Sequence, residues 1–135
     1  FVVGDGPEKF YLQNLVNELE LAGVVRFIGC VSNPYPYISS ASLVVLSSFS
    51  EAFPTILLES LSLGKTVVST PTQGACEILD GGKLGYIIDS FDDYCEFAKM
   101  IELAIREPFN KETLVSAVYK QYDGTDSIKK IEAIW

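Results

Sequence analysis

Short runs that are apolar almost throughout alternate with segments whose apolar residues recur every three or four positions. That alternation constrains the fold more than any other feature of the chain. The runs lie at residues 1–3, 24–28, 43–46, 66–70 and 85–89. Between the first two, Phe10, Leu12, Leu15, Val16, Leu19 and Ala22 recur at helical spacing. Strands that are apolar on both faces must be covered on both faces, and the helical segments are there to cover them. The expected fold class is therefore α/β, a doubly wound parallel sheet of Rossmann-like type. Helices are expected with Pro7 near the first position and Gly23 as stop, from Asn33-Pro34 to Ala41, over 54–63 with Gly64 as stop, and over 75–79 after a turn at 71–74. Further helices are expected over 91–106 with Ser90 as cap, then over 111–122 and 126–135. In such sheets ligands sit beyond the carboxyl ends of the strands, so the informative loops follow Val3, Ile28, Leu46, Ser69 and Ile88.

Composition removes several function classes. There is no histidine among the 135 residues, which excludes a histidine general base, a Ser-His-Asp triad and a histidine-ligated metal. With 10 Lys+Arg against 18 Asp+Glu, a formal charge of −8, the chain lacks the clustered cations that bind duplex nucleic acid. No apolar run reaches the roughly 18 residues of a membrane span. Cys30, Cys76 and Cys95 are odd in number and form no CxxC, so they are expected as small buried hydrophobes in a reducing compartment, the cytoplasm. The chain opens on Phe1 in what reads as the tail of a strand, and a fragment of a longer protein is expected.

The loop after the third strand carries the chemistry. It runs Ser47-Ser48-Phe49-Ser50-Glu51-Ala52-Phe53-Pro54-Thr55 into a helix. Pro54 fits the first helical position, which puts Phe53 at the N-cap, where it cannot accept from the free amides of Thr55 and Ile56. A helix start without a side-chain cap, carrying about half a positive charge, suits a phosphate; water or Ser50 is the plainer partner. Along that helix Thr55, Glu59 and Ser62 share a stripe opposite Leu57, Leu58 and Leu61. A carboxylate near the strand ends needs donors, which sugar hydroxyls would supply; an exposed Glu on an ordinary amphipathic helix fits the spacing equally well.

The stretch Glu51-Ala52-Phe53-Pro54-Thr55-Ile56-Leu57-Leu58-Glu59 resembles the E-x7-E motif of the retaining glycosyltransferases of family 4, the group 1 glycosyltransferases with the GT-B fold. Gly4-Asp5-Gly6-Pro7-Glu8 resembles that family's GDGPE turn. Val25-Arg26-Phe27-Ile28-Gly29 is similar to its V-x-F-x-G strand, and residues 64–70 to its G-K-P-V-V-A-S/T. The likeness runs from residue 1 to about residue 106, in family order and spacing.

The resemblance implies the C-terminal half of a GT-B fold, with residues 1–135 a donor-binding domain ending in helices over 107–135. It implies that Glu51 lies against the donor sugar as the catalytic residue and that Glu59 accepts from the ribose hydroxyls. The amides of Phe53, Thr55 and Ile56 would face sugar and diphosphate, and backbone around Val31 and Ser32 would meet the base. The donor would be a UDP- or GDP-sugar, used without a metal or other cofactor. The acceptor, a glycan or lipid-linked glycan, would be bound by an N-terminal domain that this chain lacks. A cytoplasmic protein, peripheral to the membrane at full length, would fit that role. Ala52 stands where the family commonly has glycine, and the family's basic pair for the diphosphate lies upstream of the GDGP strand. The chain alone is therefore expected not to turn over.

Other features carry less weight. Gly4-x-Gly6 starts a dinucleotide fingerprint, but Lys9 breaks it, leaving a tight turn. Gly74 and Glu77 sit at the mouth after the fourth strand, where they could touch the donor sugar or simply make a turn. Tyr35 and Tyr37 are expected to pack locally rather than stack on a base. Asp92, Asp93 and Glu96 suit a helix start. The helix over 126–135 presents Ile128, Ile131 and Trp135, a face that could pair with a second chain. Three functions remain at this stage: the donor domain of a retaining hexosyltransferase, a non-catalytic nucleotide-sugar-binding or assembly subunit that needs a partner chain, and a nucleotide-sugar epimerase.

Overall fold

Each apolar run becomes a strand whose neighbour is parallel, because a helix returns the chain to the same edge before the next run begins. A computed structural model describes residues 1–122. The expected helix over 126–135 and its apolar face lie outside the described residues. The chain divides into two units, Phe1–Pro36 and Tyr37–Trp135.

The first unit is a β-α-β hairpin in which β1 (Val2–Val3) pairs in parallel with β2 (Phe27–Gly29) across α1 (Lys9–Glu18). Gly4 leaves β1 at φ 131°, backbone open only to glycine, and its N–H donates to the Gly29 carbonyl at 2.9 Å. Asp5 then accepts from the Gly6 amide at 2.9 Å and from the Lys9 ammonium at 2.8 Å. Those bonds hold the Asp5 carboxyl below the usual carboxylate range, the Lys9 bond contributing most. Pro7 lies ahead of the helix, not at its first position, since Glu8 is the N-cap. The helix stops before the expected Gly23. Glu20 takes the left-handed conformation at φ 57°, and the amides of Glu20 and Leu21 close on the carbonyls of Asn17 and Val16 at 3.0 and 2.8 Å. Two closing bonds outweigh a left-handed strain of about 1–2 kcal/mol.

The second unit carries a three-stranded parallel sheet in the order β3-β4-β5, with β3 at Val44–Leu46, β4 at Val67–Ser69 and β5 at Tyr86–Ile87. Val44, Val45 and Leu46 pair in register with Val67, Val68 and Ser69. All three residues of the central strand are buried, as its run of two valines requires. The helices are α2 (Tyr35–Ser40), which begins in the first unit, α3 (Thr55–Ser62), α4 (Gln73–Ile78), α5 (Tyr94–Arg106) and α6 (Lys111–Tyr122), with a 3-10 turn at Asp80–Gly82. Leu57 and Leu61 of α3, Val67, Ala75, Ile78, Leu79, Leu84 and Leu114 form one buried cluster.

Several helix ends differ from the sequence reading. Helix α5 starts at Tyr94, because Asp93 outcompetes Ser90 as the cap by accepting from the Glu96 amide at 2.8 Å. The Glu96 carboxylate turns back to the Asp89 amide. Helix α4 begins two residues early, at Gln73, because the Thr72 hydroxyl caps it by accepting from Ala75 at 3.2 Å. Gly64 does terminate α3: at φ 66° it donates to Leu61, while Lys65 donates to Ser60, both at 2.9 Å. Cys30 and Cys95 are exposed and Cys76 is half-buried, so the cysteines are not core residues. Tyr35 is half exposed rather than packed. Among the described residues no helix is long and apolar enough to cross a membrane.

Leu114 joins α6 to this core with no residual exposure. Leu114→Ala is therefore expected to cost about 2–5 kcal/mol in urea unfolding, as a core truncation rather than a surface change.

Candidate functional site

The segment from β3 into α3 is held in shape by the neighbouring β4-α4 segment. Thr70, buried at the end of β4, donates from its hydroxyl to the Ser48 carbonyl at 2.5 Å, and its amide donates to the Leu46 carbonyl at 3.0 Å. The Ser48 hydroxyl in turn donates to the Glu51 carboxylate at 3.0 Å, and the Glu51 carbonyl accepts from the Gly74 amide at 3.2 Å. Glu51 is thus half-buried, with its backbone pinned to α4 and one carboxylate oxygen engaged.

Gly74 sits under this turn by close approach rather than by unusual torsion. A Cβ placed there would collide with the Ala52 carbonyl and lie 2.7 Å from Cδ of Pro54. Its place in the first turn of α4, not in a preceding loop, brings it there.

Helix α3 opens without a side-chain cap. Its N-cap is Pro54 in extended conformation, not Phe53, and the first turn closes through the Leu57 amide on the Pro54 carbonyl at 3.0 Å. The amides of Thr55 and Ile56 precede that bond, and among the described residues no hydrogen bond engages them. Ser50, the plainer candidate cap, makes no bond to them among the described residues. No acidic side chain occupies the first turn.

Glu59 lies one turn into α3, on the same face as Thr55. It is half-buried, and among the described residues no hydrogen bond or ion pair reaches its carboxylate. The opposite face behaves as the spacing predicts: Leu57 and Leu61 are fully buried, and Leu58 packs on the core from a half-buried position. The two interior serines are satisfied within the helix, Ser60 on the Ile56 carbonyl at 2.6 Å and Ser62 on the Leu58 carbonyl at 2.7 Å. Among the described residues, Glu59 is the one acid on α3, and its carboxylate has no protein partner.

The β3-α3 segment therefore gathers Glu51, Phe53, Thr55, Ile56 and Glu59, and Gly74 and Glu77 come with α4. Val31, Ser32 and Gly4 belong to the first unit, after β2 and β1. Sequence reading missed Thr70 as the anchor of the loop and Tyr122, whose ring meets Phe53 edge-on with centroids 6.1 Å apart. Burial, and then the Glu77 carboxylate, push the Tyr122 phenol above its ordinary value. The Tyr86 phenol is pushed up chiefly by burial, with Glu107 adding to it; the phenol donates to the Glu107 carbonyl at 2.8 Å. A cavity of about 450 Å³ lies along β5, lined by Pro71, Cys76 and residues of β5, and none of the site residues named above lines it.

The arrangement can receive an anion at free amides and hydroxyl donors at an open carboxylate. The family model described as Glycosyl transferases group 1 matches residues 1–121. The chain belongs to that family. It is 32% identical over 107 residues to the lipopolysaccharide core biosynthesis glycosyltransferase LpsE of Rhizobium meliloti, covering 79% of this chain and 31% of that protein. It is 28% identical over 137 residues to the N-acetyl-alpha-D-glucosaminyl L-malate synthase of Bacillus anthracis, covering 99% of this chain and 36% of that protein. The chain thus spans about a third of the length of these curated relatives.

Among solved structures, Anabaena Alr3699/HepE in complex with UDP superposes with a TM-score of 0.79 at 23% identity, over 98% of this chain and 39% of that one. WaaG, a glycosyltransferase involved in lipopolysaccharide biosynthesis, superposes at 0.71 with 22% identity, over 91% of this chain and 33% of that one. These likenesses establish the fold, an α/β Rossmann-like C-terminal half of GT-B type.

Close approach at Gly74 makes a direct prediction. Gly74→Ala should destabilise by about 1–3 kcal/mol, because backbone and a proline ring must shift to admit a methyl group. Gly6→Ala, with nothing within 4 Å of the added carbon, should stay within about 0.5 kcal/mol. Equal thermal midpoints for the two variants would contradict the clamp.

Proposed function

We propose that the chain is the donor-binding part of a retaining glycosyltransferase of family 4, which moves a hexose from a UDP- or GDP-sugar to a glycan or lipid-linked acceptor. The observation that carries this reading is the open Glu59 carboxylate, one turn from an uncapped helix start in a chain of this family. A carboxylate accepts hydrogen bonds only, so the vicinal hydroxyls of a ribose are donors that fit it. The names of relatives support the substrate class: LpsE is a lipopolysaccharide core glycosyltransferase, and HepE was solved with UDP.

In this reading Glu59 holds the two ribose hydroxyls. The amides of Phe53, Thr55 and Ile56 meet the sugar and diphosphate and stabilise the leaving diphosphate as the glycosidic bond breaks. Glu51, held by Ser48, faces the sugar and supports the positive charge that develops at the anomeric carbon. No metal takes part. The acceptor is supplied by a second domain of a longer protein.

Titration calorimetry with UDP and GDP tests the site. Charge-assisted hydrogen bonds to a carboxylate contribute about 1.5–3 kcal/mol, so Glu59→Ala should raise Kd by roughly ten- to a hundred-fold. Glu51→Gln should leave the nucleotide affinity within about two-fold, because its partner is the sugar. An unchanged Kd in Glu59→Ala would remove Glu59 from the site. Addition of EDTA should leave UDP affinity unaltered, and loss of binding would show that a metal takes part.

A further inference from the structure

Helix α6 runs antiparallel along α3 and delivers its last residue to the candidate donor turn. Lys111, its first residue, lies where a Cβ on Gly64 would be, at the carboxyl end of α3. Leu114 is buried in the core with Leu57 and Leu61 of α3, and Ala117 and Val118 pack against the same cluster. Tyr122, its last residue, meets Phe53 at the amino end of α3. Residues 111, 114, 118 and 122 share one helical face, so the contact at Tyr122 is the continuation of the packing at Leu114.

Phe53 needs such a partner. It is 45% exposed and stands directly before Pro54, so its backbone direction sets the entry into α3. From the α4 side the turn is clamped at Ala52 and Pro54 by Gly74, which leaves the Phe53 ring as the part of the turn without a clamp from that helix. After burial, the Glu77 carboxylate of α4 also pushes the Tyr122 phenol up, so α4 bears on the same corner electrostatically.

We propose that Tyr122 is a positioning residue for the donor turn: its ring braces Phe53 and thereby holds the Phe53, Thr55 and Ile56 amides in the orientation that meets a diphosphate. The consequence for nucleotide binding rests on the function proposed above, whereas the brace itself does not. Tyr122 acts through Phe53 and touches no substrate. The ring does the work, so the hydroxyl is dispensable.

Backbone ¹⁵N relaxation of the unliganded chain tests the brace. In Tyr122→Ala the order parameters of Phe53, Thr55 and Ile56 should fall, with those of Leu57 and Leu61 unchanged. Tyr122→Phe should keep the wild-type values, and so should Tyr119→Ala, an α6 residue that is 69% exposed. UDP and GDP titration of the same proteins should show affinity about three- to ten-fold weaker in Tyr122→Ala and within two-fold of wild type in Tyr122→Phe. Unchanged order parameters in a folded Tyr122→Ala, or equal losses in Tyr122→Phe, would overturn the brace. If the wild type binds neither nucleotide while Tyr122→Ala loosens the turn, the brace stands and the donor reading falls.

Discussion

The site depends on the close approach of two loops at the carboxyl ends of adjacent strands. The β4-α4 segment sends Thr70 to the Ser48 carbonyl and places Gly74 against Ala52 and Pro54. Neither contact is strong by itself. Together with the Gly74 amide on the Glu51 carbonyl, they fix a turn whose internal side-chain bond runs from Ser48 to Glu51. Everything chemical in the second unit follows: the pinned backbone of Glu51, the exposed start of α3 and the face on which Glu59 stands. A parallel sheet makes this possible, because register pairing of Leu46 with Ser69 ends the two strands level and releases their loops side by side.

The same packing explains why α3 can afford an open carboxylate and an uncapped start. Leu57, Leu61 and Ser60 bury one face completely, and the amides of Gly64 and Lys65 close the carboxyl end with one backbone bond each. Burial of two leucines alone is worth about 3–6 kcal/mol, more than the roughly 1 kcal/mol a missing N-cap costs. The helix is therefore held by its core face and its carboxyl end, and its amino end has no side-chain cap. α6 completes that support through Leu114 and reaches the turn with Tyr122.

Where local chemistry was decisive, residues could be read directly. The strands follow from valine and isoleucine runs, and α6 falls where its periodicity places it. Local competition was harder to judge. Gly23 is a better left-handed residue than Glu20, yet α1 ends at Glu18 and Glu20 makes the left-handed turn, because the amides there reach carbonyls one turn back before the chain arrives at glycine. Ser90 and Asp93 are both good caps, and Asp93 prevails by reaching the Glu96 amide. Proline's preference for the first helical position predicts Phe53 as the N-cap of α3, and Pro54 holds the N-cap with extended backbone instead.

The order of apolar runs determined the alternation of strands and helices, and the spacing from Glu51 to Glu59 put one acid in the loop and the other on the polar stripe of α3, since both are properties of nearest neighbours along the chain. Tertiary structure alone decided that Thr70 anchors the loop, that Gly74 is required for lack of room rather than for torsion, and that Tyr122 stands over Phe53. Those contacts join residues roughly 20 to 70 positions apart. Their existence depends on how the helices and strands dock, which no local pattern encodes.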